Sequence, residues 1–131
     1  MIKVTHIDHL VLTVKDVDAS CKFYDRVLGM QKTSFKKDRR AVVFGNQKIN
    51  FHEHGKEFEP RSLHPTPGSA DLCFVTDDPP FKVIDHLEKC GVKIVEGPVK
   101  RVGAAGTITS IYIRDPDENL LEISSYGKAD G

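Results

Sequence analysis

An internal repeat constrains the fold of this chain most strongly. Residues 9–16 (HLVLTVKD) return without a gap as residues 71–78 (DLCFVTDD), sixty-two positions later, and the LGM that follows in the first copy returns as CGV at the same offset. Because strand, helix and helix end recur in register, we predict two copies of one module. His9 and Asp71 open the two copies, so we expect them at equivalent positions.

The first copy is predicted to be a βαβββ module. Residues 7–14 alternate as a half-buried strand does, with His9, Val11 and Thr13 on one face. A helix is expected to begin after Asp16, its N-cap, and to end at Gly29. Its apolar stripe consists of Val17, Cys21, Tyr24 and Leu28. Strands are expected near residues 30–35, 40–44 and 47–53, the last two joined by Gly45-Asn46 as a tight hairpin.

The second copy repeats this order, so it is predicted to be βαβββ as well. We expect a strand over residues 70–75, a helix after Asp78 carrying Phe81, Ile84 and Leu87, a helix end at Gly91, and strands over residues 92–96, 107–113 and 120–125. A glycine-rich stretch, residues 97–106, leads into the third strand. The predicted organisation is one domain, residues 1–131, with module one at 5–53, a connecting loop at 54–69, module two at 70–126 and a tail at 127–131. Loops as long as this connection are often functional.

Charge and hydropathy limit the classes of partner. The chain has 19 basic and 19 acidic residues and no net charge, which argues against general binding of nucleic acid or of an acidic membrane. No apolar run approaches the ~20 residues of a membrane span, and no cleavable export signal is evident. Cys21, Cys73 and Cys90 lie in apolar patterns without paired spacing, so buried reduced thiols are expected rather than disulfides or a zinc cluster. We expect a reducing compartment, cytoplasmic or organellar, and no secretion.

The last hairpins of the two modules superimpose with a shift, since IRDPDENLLEIS matches VFGNQKINFH once the longer turn is allowed for. Asn50 then corresponds to Glu122, and His52 to Ser124. Strand alternation puts the Glu122 carboxylate on the same face as Leu120. Burial of a charge in such surroundings costs several kcal/mol unless it is compensated, and a cation is one natural compensation. Four equivalent positions emerge: His9, Asn50, Asp71 and Glu122.

These features resemble the vicinal oxygen chelate superfamily of glyoxalase I, extradiol dioxygenases and bleomycin- and fosfomycin-resistance proteins. The resemblance is carried by the paired modules, by IDHLVLTVKDVDASCKFYDRVLGM and by RDPDENLLEISSY. It implies an α+β fold in which the two modules form a U-shaped eight-stranded mixed sheet. The stretches FGNQKINFHEHGKEFEP and GPVKRVGAAG further resemble the branch of glyoxalase domain-containing protein 5 and its bacterial relatives.

The resemblance also implies a divalent metal ion. His9 and Glu122 match family ligand positions, Asp71 stands where many members have a histidine, and Asn50 stands where glyoxalase I has a glutamate. A set of His9, Asp71 and Glu122 suits Mn²⁺, Mg²⁺ or Fe²⁺, with Zn²⁺ and Ni²⁺ also possible. His52 is a candidate either as a ligand or as a group facing the substrate. The alternative is a hydrogen-bonded polar pocket that has lost its metal.

Two function classes therefore remain open. The first is a metal-dependent glyoxalase-like enzyme acting on vicinal oxygens, with Glu122 or His52 moving a proton. The second is a binding or sequestering protein of the bleomycin-resistance type, which Asn50 favours. True glyoxalase I activity is not expected, because the amide of Asn50 removes a base. A small-molecule ligand and a homodimer are the expected partners, without nucleic acid or membrane.

Other polar residues have simpler interpretations. His6, His54, His64 and His86 have no repeat partner and are expected at the surface or in loops. Asp115 and Asp117 lie in a DPDEN turn and are expected to be architectural. The basic cluster of residues 36–40 and the pair Lys100-Arg101 are expected to flank the ligand cup, and the pair precedes glycines whose backbone amides could approach an anion.

Overall fold

The computed structural model describes residues 1–36 and 38–127, so Lys37 and most of the predicted tail lie outside the described residues. The chain forms two compact units, residues 1–67 and the residues from 68 onward. The elements are β1 His9–Val14, α1 Val17–Leu28, β2 Gln31–Phe35, β3 Arg39–Phe44, β4 Gln47–Glu53, β5 Asp71–Val75, α2 Pro80–Lys89, β6 Glu96–Gly103, β7 Gly106–Arg114 and β8 Leu120–Ser125. Each unit has the predicted βαβββ order.

The first unit is a mixed four-stranded sheet covered on one face by α1. Its strand order is β1-β4-β3-β2, with β1 parallel to β4 and the other pairs antiparallel. Leu12 and Val14 alternate toward the helix and are 6% and 0% exposed. The Tyr24 ring of α1 lies 5.8 Å from the Phe51 ring of β4. Burial of these side chains between sheet and helix provides the core of this unit.

Helix α1 begins and ends where the sequence predicts. The Asp16 carboxylate accepts a hydrogen bond from the Ala19 amide at 3.1 Å, which satisfies one of the free amides of the first turn. Gly29 follows with φ 66°, a left-handed conformation that favours glycine. Cys21 and Tyr24 are buried as predicted, and Val27 is buried as well.

The second unit has the same topology, with strand order β5-β8-β7-β6 and β5 parallel to β8. Helix α2 contacts β7 and β8. The core side chains of this sheet and helix are Leu87, Ile111, Ile113, Leu121 and Ile123. Phe81 does not belong to this set, contrary to prediction, because it is 62% exposed. The buried face of α2 instead runs through Pro80 and Leu87, and Phe81 lies one position to the side of it.

The third element of the second unit differs from the prediction. Residues 92–95 are not a strand, and β6 covers residues 96–103 of the glycine-rich stretch. Glycine is compatible with a strand here because the absence of a side chain lets the backbones of β6 and β7 approach closely. A Cβ on Gly97, whose φ is 118°, would lie 2.5 Å from the Ser110 carbonyl oxygen of β7. The pairing with β7 shifts register between Glu96 and Val99, as in a β-bulge.

The cysteines follow the prediction in part. Cys21, Cys73 and Cys90 are all free thiols. Cys21 is buried, whereas Cys73 is exposed and Cys90 is intermediate. The prediction that all three are buried is therefore wrong.

None of the helices in the described part of the chain is both long and apolar enough to cross a lipid bilayer.

Candidate functional site

Each sheet has a second face, opposite its helix, and the candidate residues lie on these faces. On β1 this face carries His9, Val11 and Thr13, since Leu12 and Val14 point to α1. The register pairs Val11 with Asn50 and Thr13 with His52. Cross-strand partners share a face. The first unit therefore brings His9, Asn50 and His52 to one face of one sheet.

The second sheet has the same register. Cys73 pairs with Glu122 and Val75 with Ser124, as Val11 pairs with Asn50 and Thr13 with His52. Asn50 and Glu122 hence occupy equivalent positions in the two units, as do His52 and Ser124. This agrees with the correspondence expected from the shifted hairpins.

His9 is exposed, with 46% of its side chain accessible. Its Nδ1 atom lies 2.8 Å from the carboxylate of Asp8, which is itself exposed. This hydrogen bond lowers the pKa of the Asp8 carboxyl. Contact with Asp8 orients the imidazole through Nδ1, as a carboxylate partner does for many metal-bound histidines.

Glu122 is half-buried within a hydrogen-bonded row of side chains. Ser110 Oγ donates to Glu122 Oε2 at 2.5 Å and lies 2.7 Å from Ser124 Oγ. Ser124 also lies 3.3 Å from the Cys73 sulfur. Partial removal of the Cys73 sulfur from water raises the pKa of the thiol. The hydrogen bond with Ser124 lowers this pKa, and the nearby Glu122 charge raises it. The serines thus provide the hydrogen bonds that a carboxylate needs when it is partly removed from water.

The predicted metal ligands do not form a complete set in either unit. Asp71 is exposed and pairs with Leu120, next to Glu122 on the same strand face. His9 belongs to the other unit. Counted over residues 1–36 and 38–127, no three His, Cys, Asp or Glu side chains form a group that could hold a metal ion. Neither unit alone therefore supplies, among its described residues, the three donor side chains that the metal implied by the resemblance would need.

A cavity of about 270 Å³ opens against the first sheet. Its lining includes Val11, Thr13 and His52 from the strands, and Pro60, Arg61 and Pro65 from the connecting loop. The loop therefore folds back over the face that carries the candidate residues. The prolines restrict its backbone, which favours one loop conformation over many.

Among the described residues, His52 is the one histidine that lines this cavity. It is 7% exposed, and its ring meets the Phe58 ring edge-to-face, with centroids 5.5 Å apart. The Arg39 guanidinium lies 3.8 Å from the centroid of the same Phe58 ring. Burial lowers the pKa of His52, and the positive charge of Arg39 lowers it further, while Glu57 opposes the shift. A pKa below the ordinary 6.5 means that the imidazole is mainly neutral at pH 7.

Asn50 lies beside His52 on the same face and has an unusual feature. Its side-chain oxygen Oδ1 is buried and has no hydrogen-bond partner among the residues that the structure describes. A buried acceptor without a donor costs about 1–3 kcal/mol.

Of the pair Lys100-Arg101, Arg101 forms hydrogen bonds with other protein groups. Arg101 donates to Glu96 at 2.7 Å and to the Tyr112 hydroxyl at 3.1 Å. These contacts raise the pKa of the Arg101 guanidinium. The amide of Ala105, in the glycine-rich turn, donates to the Tyr126 hydroxyl at 3.1 Å. Arg101 is thus engaged within its own unit.

The other histidines and Asp115 agree with their predicted positions. His6, His54, His64 and His86 are exposed. Asp115 is buried and accepts hydrogen bonds from the turn that follows it. Of the first basic cluster, Arg39 contacts Phe58, Arg40 pairs with Asp18, and Lys37 lies outside the described residues.

The sequence matches the Glyoxalase/Bleomycin resistance protein/Dioxygenase superfamily over residues 6–123. The chain belongs to this superfamily. The match includes both βαβββ units and agrees with the resemblance and with the α+β fold of two mixed sheets.

Two relatives share more than half of their aligned residues with this chain. The chain is 55% identical to Virulence protein STM3117 of Salmonella typhimurium, over 94% of this chain and 85% of that protein. It is 54% identical to Glyoxalase domain-containing protein RDO1 of Mycosarcoma maydis, over 98% of this chain and 72% of that protein. The crystal structure of STM3117 matches with a TM-score of 0.94, covering 96% of this chain and 100% of that one. The narrower resemblance to glyoxalase domain-containing protein 5 stays a prediction.

The residues of the cavity that sequence reasoning missed come from the connecting loop. Pro60, Arg61, Ser62 and Pro65 lie in a segment that shows no periodicity and has no counterpart in the other module. The one available signal was the length of the loop, which is typical of functional loops.

Proposed function

We propose that this protein binds a small organic molecule in the cavity against β4, and that His52 exchanges a proton with that molecule. The observation that supports this most is a buried imidazole with a lowered pKa on the cavity wall. A neutral imidazole offers one N–H donor and one nitrogen acceptor. It can therefore orient a ligand oxygen and accept a proton from it.

In this proposal His52 is the general base of the site. A positioned base contributes about 10²–10⁴ to the rate of a proton transfer. Burial and Arg39 keep the ring unprotonated, which keeps the base available near neutral pH. Glu122 is the second proposed proton carrier, because Ser110 and Ser124 orient its carboxylate by hydrogen bonds.

The binding proposal is tested by NMR. Fragments are screened against the ¹⁵N-labelled full chain, and hits that move the His52 resonances are retained. His52→Gln removes the titrating ring and keeps a polar side chain, while His86→Gln is the control because His86 is exposed on α2. We expect hits that lose affinity in His52→Gln only. If no fragment moves the resonances of the cavity residues, the proposal is wrong.

A second candidate is metal-dependent glyoxalase-like chemistry, with His9, Asp71 and Glu122 as ligands. It is favoured by the equivalent register positions in the two sheets and by the Nδ1 contact of His9 with Asp8. The donor set suits Mn²⁺, Mg²⁺ or Fe²⁺, and Zn²⁺ or Ni²⁺ as well.

The metal proposal is tested by elemental analysis of protein purified without chelator or histidine tag. Stoichiometric metal that is lost in His9→Ala, Asp71→Asn and Glu122→Gln, and kept in His86→Ala, would support it. Metal-free protein whose melting temperature does not respond to added divalent ions would refute it.

Turnover separates an enzyme from a sequestering protein of the bleomycin-resistance type. The amide of Asn50 supports sequestration, because it cannot act as a base as a carboxylate would. We expect little or no turnover of a glutathione hemithioacetal in an assay that monitors absorbance.

We also propose that the protein is a homodimer, which light scattering tests. A reducing compartment is proposed as well, which localisation of a tagged chain tests.

A further inference from the structure

The connecting loop supplies a cation to a cavity whose other described lining residues are one histidine, two hydroxyl residues and three apolar residues. Arg61 lines the cavity, and its two anchoring contacts lie within the loop. Its Nε donates to Glu59 at 3.2 Å and its Nη1 to the Ser62 carbonyl at 3.1 Å. A guanidinium has five N–H donors. Within the described part of the chain, these contacts therefore leave N–H groups for a ligand.

The contact with Glu59 does not cancel the charge of Arg61. The Glu59 side chain is 76% exposed, so water screens the pair strongly. The contact instead fixes the guanidinium in one orientation, which reduces the entropy lost when a ligand binds. Arg39 adds a second positive charge on the same side, close enough to affect His52.

The size of the cavity restricts the ligand. A volume of about 270 Å³ lies below the ~300–1,000 Å³ of most drug-sized pockets. Val11, Pro60 and Pro65 give it an apolar part as well. A small molecule with a short carbon skeleton and one anionic end matches this volume, this apolar part and the charge of Arg61.

We propose that the ligand of this cavity is a small carboxylic acid with a hydroxyl group on the neighbouring carbon. Its carboxylate is bound by Arg61, and its hydroxyl donates to the unprotonated nitrogen of His52. The inference rests on the proposed binding at this cavity and adds the chemical class of the ligand.

Three probes separate the two recognition elements: glycolate, its neutral amide glycolamide, and acetate, which lacks the hydroxyl. Binding to the ¹⁵N-labelled full chain is measured by NMR titration into the millimolar range, because ligands this small bind weakly. A charge-assisted hydrogen bond is about twice as strong as a neutral one. We expect glycolate to bind about tenfold more tightly than glycolamide, and more tightly than acetate.

The arginine is tested by substitution. Arg61→Gln should raise the Kd of glycolate about tenfold and leave the Kd of glycolamide unchanged, since only the charged contact is lost. Arg61→Lys keeps the charge without the planar fork and should fall in between. The matched control is Arg26→Gln, because Arg26 is exposed on α1. The amide spectrum of each variant reports whether it is folded.

Specific outcomes overturn the inference. Equal affinity for glycolate and glycolamide, or unchanged glycolate binding in Arg61→Gln, would refute recognition of the carboxylate while cavity binding stands. Absence of binding by all three probes would also refute the ligand class. The fragment screen then decides separately whether the cavity binds other small molecules, which keeps failure of this inference distinct from failure of the proposed function.

Discussion

The buried carboxylate of Asp115 is expected to hold the turn between β7 and β8, and its removal should destabilise the protein strongly. Asp115 is 5% exposed. Its Oδ1 accepts from the amides of Asp117 and Asn119, both at 2.9 Å, and its Oδ2 accepts from the Asn119 side-chain amide at 2.8 Å. Asn119 Oδ1 in turn accepts from the Ala70 amide at 2.8 Å, which ties the turn to the start of β5.

The expected magnitude follows from these contacts. Asp115→Ala leaves three donors without their acceptor, and two of them belong to Asn119, which is 2% exposed. Each buried donor that loses its partner costs about 1–3 kcal/mol. Since the costs of neighbouring groups do not add fully, we expect a total loss of about 3–5 kcal/mol.

Urea unfolding followed by circular dichroism measures this loss, provided that the m-value is unchanged. The control is Asp77→Ala, because Asp77 is exposed and its removal should change stability by less than about 0.5 kcal/mol. Amide exchange in β5 should accelerate in Asp115→Ala, since the tie to Ala70 is weakened. A loss below about 1 kcal/mol would refute the structural role assigned to this carboxylate.

Two further predictions concern His52 and Gly97. The pKa of His52 is lowered in the folded state, so just below pH 6.5 the unfolded chain binds more protons than the folded chain. Acidification below pH 6.5 should therefore lower the free energy of unfolding, by up to about 1.4 kcal/mol per pH unit. Urea unfolding at several pH values should give a flatter profile for His52→Gln, and equal slopes would contradict the lowered pKa. Gly97→Ala should destabilise the protein by more than Gly55→Ala in the same assay. Both glycines have positive φ, but of the two only Gly97 would bring a Cβ against the backbone, at 2.5 Å from Ser110 O. Equal losses of stability would show that this close approach does not add to the cost of the substitution.

The repeat in the sequence predicted most of the fold because both modules bury the same apolar pattern. The N-cap Asp16, the helix end at Gly29 and the correspondence of Asn50 with Glu122 all follow from it. The prediction was wrong at β6, because the glycines and the proline of this segment were interpreted as a loop. Such residues also occur where two strands approach closely at a bulge, and only the partner strand reveals this.

The candidate site was predictable only where it lies on strands. Alternation along β1 put His9, Val11 and Thr13 on one face, and the observed register adds Asn50 and His52 to that face. The connecting loop gave no such information, because its path depends on contacts such as that between Arg39 and Phe58 rather than on a periodic pattern. Arg61 therefore came from the structure alone. The metal ligand set His9, Asp71 and Glu122 stays a prediction.

The account depends on a neutral His52 in the wall of a ligand cavity, and one measurement tests this directly. The His52 ring is titrated by NMR in the full chain, with His52→Gln identifying its resonances. We predict a pKa clearly below the ordinary 6.5, because burial and Arg39 disfavour the charged ring. A pKa at or above that value would mean that the ring is solvated or paired with an anion, which would contradict both the buried cavity and the proposed base.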